Sequence, residues 1–236
     1  WTWRERARTG FTDLETCHDL NYVYSDDYGR TFYNSAGELV ANTTDNPITQ
    51  KTPGIAVVDI PRKSGTVNQE CQAVDSQGRI HVVIRHMENM DQGGSTYRMH
   101  YWRDNDGVWH SNKIVKTNVW NRGKILFDST DRAYYIFDTG LIYTATSENN
   151  WTDWTLMTDQ DQGNVNAEPL VDKYALKTRD ALYIFAPNSG EVSRLSVIKY
   201  DLNFGKTKNE IPVQFNVSSE NLDCNAVNLS DDNYMT

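Results

Sequence analysis

The stretch Ala73-Val-Asp-Ser-Gln-Gly-Arg-Ile-His-Val-Val-Ile84 carries the fold, because the chain repeats it. It lines up with Leu126-Phe-Asp-Ser-Thr-Asp-Arg-Ala-Tyr-Tyr-Ile-Phe137, a shift of 53 residues from Asp75 to Asp128. A third copy, Leu170-Val-Asp172 and then Arg179-Asp-Ala-Leu-Tyr-Ile-Phe185, is shifted by 97 from Asp75 to Asp172 and has a longer turn. Each copy reads as strand, Asp-containing turn, strand. A third and a fourth strand follow: Tyr97 to Arg103 with Val108 to Val115, and Leu141 to Thr146 with Trp154 to Met157. Four-strand units recurring about every 40–50 residues are the signature of β-propeller blades. Helical periodicity is almost absent, and alternation with aromatic and β-branched residues dominates, as in Leu20-Asn-Tyr-Val-Tyr-Ser25. The fold class expected is therefore all-β, a β-propeller of four-stranded blades.

Working outward, the first unit is incomplete. It begins near Trp1 to Arg4 and contains Ser25-Asp-Asp-Tyr-Gly-Arg-Thr-Phe32, which follows the Asp-box pattern S-x-D-x-G-x-T-W with Phe32 in place of Trp. Such a segment makes a tight turn. Asp27 can bind turn amides, Gly29 can adopt positive φ, and the terminal aromatic packs between blades. The count is about four blades, the first cut at its front, whereas closed rings hold about four to eight. Residues 1–236 are therefore expected to form a single propeller domain or the C-terminal part of one.

The 38% of hydrophobic residues suffices for a real core, and no run of about 18 apolar residues occurs to cross a membrane. The formal net charge of −9 argues against nucleic acid, although a local cluster of Arg and His can reverse the field inside a cleft. A signal peptide is neither present nor excluded by an opening at Trp1. Three cysteines, Cys17, Cys71 and Cys224, have no zinc-site spacing and read as core residues with room for one disulfide. Four acceptor triplets, at Asn42, Asn150, Asn216 and Asn228, point to a secreted glycoprotein.

His18-Asp-Leu-Asn-Tyr-Val-Tyr-Ser-Asp-Asp-Tyr-Gly-Arg-Thr-Phe32 and Asn68-Gln-Glu-Cys-Gln-Ala-Val-Asp-Ser-Gln-Gly-Arg-Ile-His-Val-Val-Ile-Arg-His86 resemble the BNR-4 repeat family. Tyr97-Arg-Met-His-Tyr-Trp-Arg103 and Asp106-Gly-Val-Trp109 continue the likeness, which covers most of residues 1–200. The family includes seven-bladed polysaccharide lyases, the ulvan lyases and rhamnose–glucuronate lyases. The resemblance thus implies a lyase that cleaves a uronate-containing polysaccharide by β-elimination. The chain resembles the C-terminal half of a member. The blades that supply further catalytic His residues in the family have no counterpart here, so a second polypeptide or further sequence would complete the ring.

In a propeller the first strand of each blade lines the channel, and the turns joining strands 1–2 and 3–4 lie on the bottom. Ligands sit on the top, among the loops between strands 2 and 3 and the links into the next first strand. That plan puts His18, Arg85, His86 and Tyr97 at top-face strand ends. It puts Arg6 and Arg8 in a top loop, and Asn68, Gln69, Arg122, Asn166 and Glu168 at links into first strands. His81 falls mid-strand and His100 and His110 on outer strands, where packing claims them.

A lyase must neutralise the uronate carboxylate, remove the proton α to it, and protonate the leaving oxygen. The resemblance implies His/Tyr/Arg chemistry for these tasks, and the chain offers Arg122 and Gln69 for neutralisation, His86 or His18 for proton transfer and Tyr97 as an acid. Arg6, Arg8, Asn68, Arg85, Asn166 and Glu168 would bind substrate. Two rivals stay open. One is a hydrolase or sialidase-like enzyme using carboxylates such as Glu168 and Asp138, and the other is a non-catalytic propeller lectin. No motif requires a cofactor, and calcium bound by loop oxygens stays open.

Overall fold

The computed structural model describes residues 1–5, 16–66, 71–119, 122–137, 140–157, 168–188, 194–202 and 214–218. These residues are mostly strand, with one α-helix, and include three four-stranded antiparallel sheets. The second unit joins β7 (Cys71–Val74), β8 (Ile80–Met87), β9 (Thr96–Arg103) and β10 (Trp109–Lys116) in sequence order. The third joins β11 (Lys124–Phe127), β12 (Ala133–Ile136), β13 (Ile142–Ala145) and β14 (Thr155–Leu156). The fourth joins β15 (Leu170–Val171), β16 (Ala181–Asn188), β17 (Arg194–Asp201) and β18 (Gln214–Ser218).

One hairpin turn recurs, and its chemistry is local. The Asp75 carboxylate accepts the Gln77 and Arg79 amides, both at 2.9 Å. Asp128 accepts the Thr130 and Arg132 amides at 2.8 and 3.1 Å, and Asp104 those of Asp106 and Val108 at 3.0 and 2.8 Å. Asn34 does the same with Ala36 and Glu38, both at 3.0 Å. The side chain at i closes the turn by taking the i+2 and i+4 amides, which is why Asp and Asn recur there. At i+6, two residues into the next strand, His81, His110 and Tyr134 return to the second oxygen of Asp75, Asp104 and Asp128. The Asp box uses a related scheme. Asp27 accepts the Arg30 and Thr31 amides and the Thr31 hydroxyl, bonds that hold its carboxyl down at about 2.

The third copy of the repeat departs from the expected longer turn. Residues Lys173–Arg179 form a helix, α1. Asp172, the counterpart of Asp75, serves as its N-cap by accepting the Ala175 amide at 2.9 Å, and Ala175 and Leu176 pack into the core. The same short acceptor that closes a hairpin here starts a helix, because seven residues are inserted where a turn would stand.

The first unit is built differently. Trp3–Arg4 (β1) pairs with Cys17–His18 (β2), and that chain continues through Leu20–Asn21 (β3) to Tyr24. On its other side β3 pairs with Ala56–Val58 (β6), and Tyr24 bridges Tyr33 of Thr31–Tyr33 (β4). The outer strand is therefore composite, running through β4, leaving as an excursion over residues 34–54 that contains Leu39–Asn42 (β5), and resuming at Ile55.

Packing is serial. Leu20 and Ile60 of the first unit meet Ile84, Met99 and Tyr101. Cys71, Val83, Trp102 and Ile114 meet Phe127, Tyr135 and Trp151. Tyr134, Ile136 and Ile142 meet Leu176, Leu182, Ile184 and Tyr200. Each inner sheet is covered on both faces, so β12 is buried at all four positions and reads as an unbroken apolar run rather than as alternation. Cys17 and Cys71 are buried thiols, and Cys224 lies outside the described residues. Among the described residues no helix is long and apolar enough to cross a membrane.

Candidate functional site

Strand direction divides each sheet into two ends. The Asp turns lie at one end, and at the other lie the last residues of β8, the first of β9 and the starts of β11 and β15. Every described sequence candidate is at this second end: His18, Arg85, His86, Tyr97, Arg122 and Glu168. Arg6, Arg8, Asn68, Gln69 and Asn166 lie outside the described residues, as does Asp138.

The candidates fall into three groups. In the first, His18 directs Nδ1 at Asp19 Oδ2, 2.9 Å away, and Nε2 faces Glu5 Oε1 at 3.6 Å. Arg62 pairs with the same Glu5 oxygen.

The second group follows from the register of β8 and β9, in which Arg85 stands opposite Arg98 and His86 opposite Tyr97. Alternation puts the two pairs on opposite faces of the sheet. Arg85 is buried and donates to the Gly65 carbonyl. Gly65 has φ +75, and a Cβ there would stand 3.3 Å from Arg85 Nη1, so glycine keeps both the turn and the contact. Arg98 is fully buried, donates to Val119 O at 3.3 Å, and lies over the Phe137 ring. His86 is 2% exposed. Its Nδ1 lies 2.7 Å from the Met87 carbonyl, so that nitrogen carries the proton and Nε2 accepts the Tyr101 hydroxyl, also at 2.7 Å. Burial pulls the imidazole below its ordinary value against the pull of that carbonyl, and pushes Tyr101 up to about 12. Tyr97 is half-buried, with the Lys113 ammonium 4.7 Å from its ring centroid.

The third group is an ion triad. Glu168 Oε1 accepts Arg122 Nη1 at 2.9 Å and Oε2 accepts Lys124 Nζ at 3.1 Å. Burial pushes the carboxyl up, but the two cations outweigh it and hold Glu168 below its usual range. Beside the triad a cleft of about 410 Å³ opens where the first strands β7, β11 and β15 come together, and its walls include Gln72, Lys124, Leu126, Val171 and Lys173. A larger hollow of about 600 Å³ is built from residues 38–54 and contains none of the candidates.

Arg98, Tyr101, Lys124 and the Glu5–Arg62 pair were not singled out by the sequence. Strand alternation holds a signal for two of them. Tyr97, Met99 and Tyr101 share the face of His86 once β8 and β9 are in register, and Arg98 shares that of Arg85. Lys124 and Glu168 are 44 residues apart, and no local pattern joins them. Among the described residues no group of three His, Cys, Asp or Glu side chains is gathered as a metal ion would require.

The chain is thus a repeat-built all-β protein with a cationic cleft beside the first strands of its sheets. Residues 1–117 match the sequence model of a BNR repeat-containing family member, a span that stops one residue beyond β10 and so covers the first unit and the whole second sheet. No curated protein matches the chain.

Proposed function

We propose that the four units are blades of a β-propeller and that the end opposite the Asp turns binds an acidic polysaccharide and cleaves it by β-elimination. The observation that carries this reading is the cleft between first strands. Lys124 lines it where β11 starts, next to the Glu168–Arg122 pair, and Lys173 lines it at its Asp-turn end, in a chain of net charge −9. A cationic cleft in an acidic protein selects anions by local field against the global one. Arg122 and Lys124, which already hold one carboxylate, would take the uronate carboxylate, with a guanidinium best suited to two-point contact. Proton transfer falls to His18, held by Asp19, and to Tyr97, which is part-exposed, with His86 buried beside Tyr97 on the neighbouring strand. A second polypeptide or further sequence completes the ring. Secretion accords with the exposed acceptor residue Asn150, which stands in a left-handed turn.

Binding without cleavage is a second reading. It is favoured by the burial of His86 and by the engagement of both its ring nitrogens.

Incubation with uronate-containing polysaccharides, followed by the ultraviolet absorbance of the unsaturated uronate that β-elimination forms, separates the two. The lyase gives a rise in absorbance that falls at least about 100-fold in Lys124→Ala and Arg122→Ala, the scale expected for losing charge stabilisation. Calorimetric binding with no rise and no new reducing ends establishes the lectin. Neither binding nor a rise overturns both readings.

A further inference from the structure

The described residues hold a second buried polar cluster, at the Asp-turn end, which the proposed function does not use. His81 and His100 are both fully buried, their rings stack at 5.2 Å between centroids with 8° between planes, and Nδ1 of His81 lies 2.9 Å from Nε2 of His100. The other nitrogen of His81 faces Asp75 Oδ2 at 3.4 Å, and Asp75 also accepts Arg79 Nε at 2.6 Å. The cluster lies on the seam between the second and third sheets. Phe127 and Trp151 of the third sheet pack on the His81 ring at 4.3 and 4.4 Å, and Arg79 lies over Trp151 at 4.5 Å. Across the same seam Ser76 donates through its amide and its hydroxyl to Asp131, at 2.8 and 2.6 Å.

We infer that the His81–His100 pair is an acid-sensitive latch between the second and third sheets. The contact between the two rings needs one proton and one lone pair. With both rings neutral the condition is met. A first added proton can be held on His81, whose two N–H groups then point to Asp75 and to a His100 lone pair. A second proton leaves N–H facing N–H at hydrogen-bond distance, with two imidazolium ions stacked in a dry seam, and the contact must open. The charged and titratable groups around the pair are Asp75 and Arg79 on its own hairpin, Asp131 from the third sheet, and His110, whose ring stacks on Trp102 beside His100. The rest of the wall is Phe127, Trp102, Trp151 and Trp154, together with Asn112, whose side chain favours charge on His100 against the larger effect of burial. Asp75 and Asp131 favour a first proton on His81, Arg79 opposes it, and each ring opposes charge on the other.

Burial lowers both imidazoles beneath their ordinary value of 6.5. Groups with depressed folded values that are neutral when folded contribute stability that is complete above about pH 6.5 and lost as pH falls below it. Each group that charges only on opening steepens the unfolding equilibrium by up to about tenfold per pH unit. The pair therefore reaches up to about 100-fold where His81 has not yet taken the one proton the closed seam can hold. This window lies above the one in which carboxylates titrate.

The third sheet provides the control. By the same strand pairing, His81 corresponds to Tyr134 and His100 to Ile142, both buried and neither titrating in this range. The test is unfolding by denaturant at several values between about pH 7 and 5, read by tryptophan fluorescence, on the wild type, the double variant His81→Tyr/His100→Ile, and the single variant His100→Ile. The expected result is a wild-type pH dependence that exceeds that of the double variant by up to about 100-fold per pH unit, with the single variant at about tenfold less than wild type. If the double variant does not fold, the single variant decides. A single variant whose slope equals that of the wild type overturns the latch, as does a wild type whose stability is flat over the range.

Discussion

Two hairpins of this molecule start from one design and end in different chemistry. In the second sheet, Asp75 closes the turn, meets Arg79, and passes its second oxygen to His81, which hands on to His100. In the third, Asp128 closes the same turn, but its second oxygen takes the Tyr134 hydroxyl at 2.9 Å, and Ile142 stands where His100 would. Both carboxylates are buried. Burial pushes Asp75 up, yet the hydrogen bonds from His81 and Arg79 outweigh it and hold the group at about 2. Burial and the Asp128 charge push the Tyr134 hydroxyl well up, so it remains a neutral donor. The backbone turn is indifferent to which solution is used, because it needs only one carboxylate oxygen. The second oxygen is free to be paired with a titrating partner or a non-titrating one, and this is where the two sheets part.

The largest expected effect is in the carboxylates themselves. Asp75→Ala leaves Arg79 beside a buried gap and should cost about 3–5 kcal/mol in denaturant unfolding. Asp128→Ala strands only amides and hydroxyls and should cost about 2–3 kcal/mol. Equal costs would break the comparison, since they would mean that the charged partner adds nothing. Next is Tyr134→Phe, which removes one hydrogen bond to a carboxylate and should cost about 1.5–3 kcal/mol with no change in slope between about pH 7 and 5. A slope that changes would show that the third-sheet hairpin also takes up protons in that range.

The smallest concerns the seams. Ser76 ties the second sheet to Asp131 at 2.6 Å, and Ser129, 53 residues on, reaches Asp180 at 3.4 Å in an exposed position. Ser76→Ala should cost about 1 kcal/mol, and Ser129→Ala less than about 0.5 kcal/mol. A larger loss at Ser129 would reverse the order of the two seams.

Much of the contrast between the two hairpins is legible in the sequence, and the part that is not has a definite cause. The repeat of Asp75 at Asp128 announces the hairpins, because an acceptor that closes a turn acts on amides two and four residues ahead. The inserted residues at Lys173–Arg179 were legible as an insertion but not as a helix, since Asp172 can close a turn or cap a helix with the same oxygen. The candidate end was legible from strand order, which placed His86 and Tyr97 together. What His86 does there was not. Its partner Tyr101 belongs to the next strand, and which of two aromatic residues on that face meets it depends on side-chain reach.

From its residues alone, this chain determines an all-β succession of four-stranded units, the turns that begin them, and the alternation that sorts side chains between faces. These depend on interactions spanning a few residues, in which spacing is geometry. Only the tertiary structure decided that His81 meets His100, that Arg122 and Lys124 share Glu168, and that the outer strand of the first unit is completed by Ala56–Val58 after an excursion. Those meetings join residues 19 to 46 positions apart. They follow from strand register and from the packing of one sheet on the next, where burial, not sequence spacing, selects the partner.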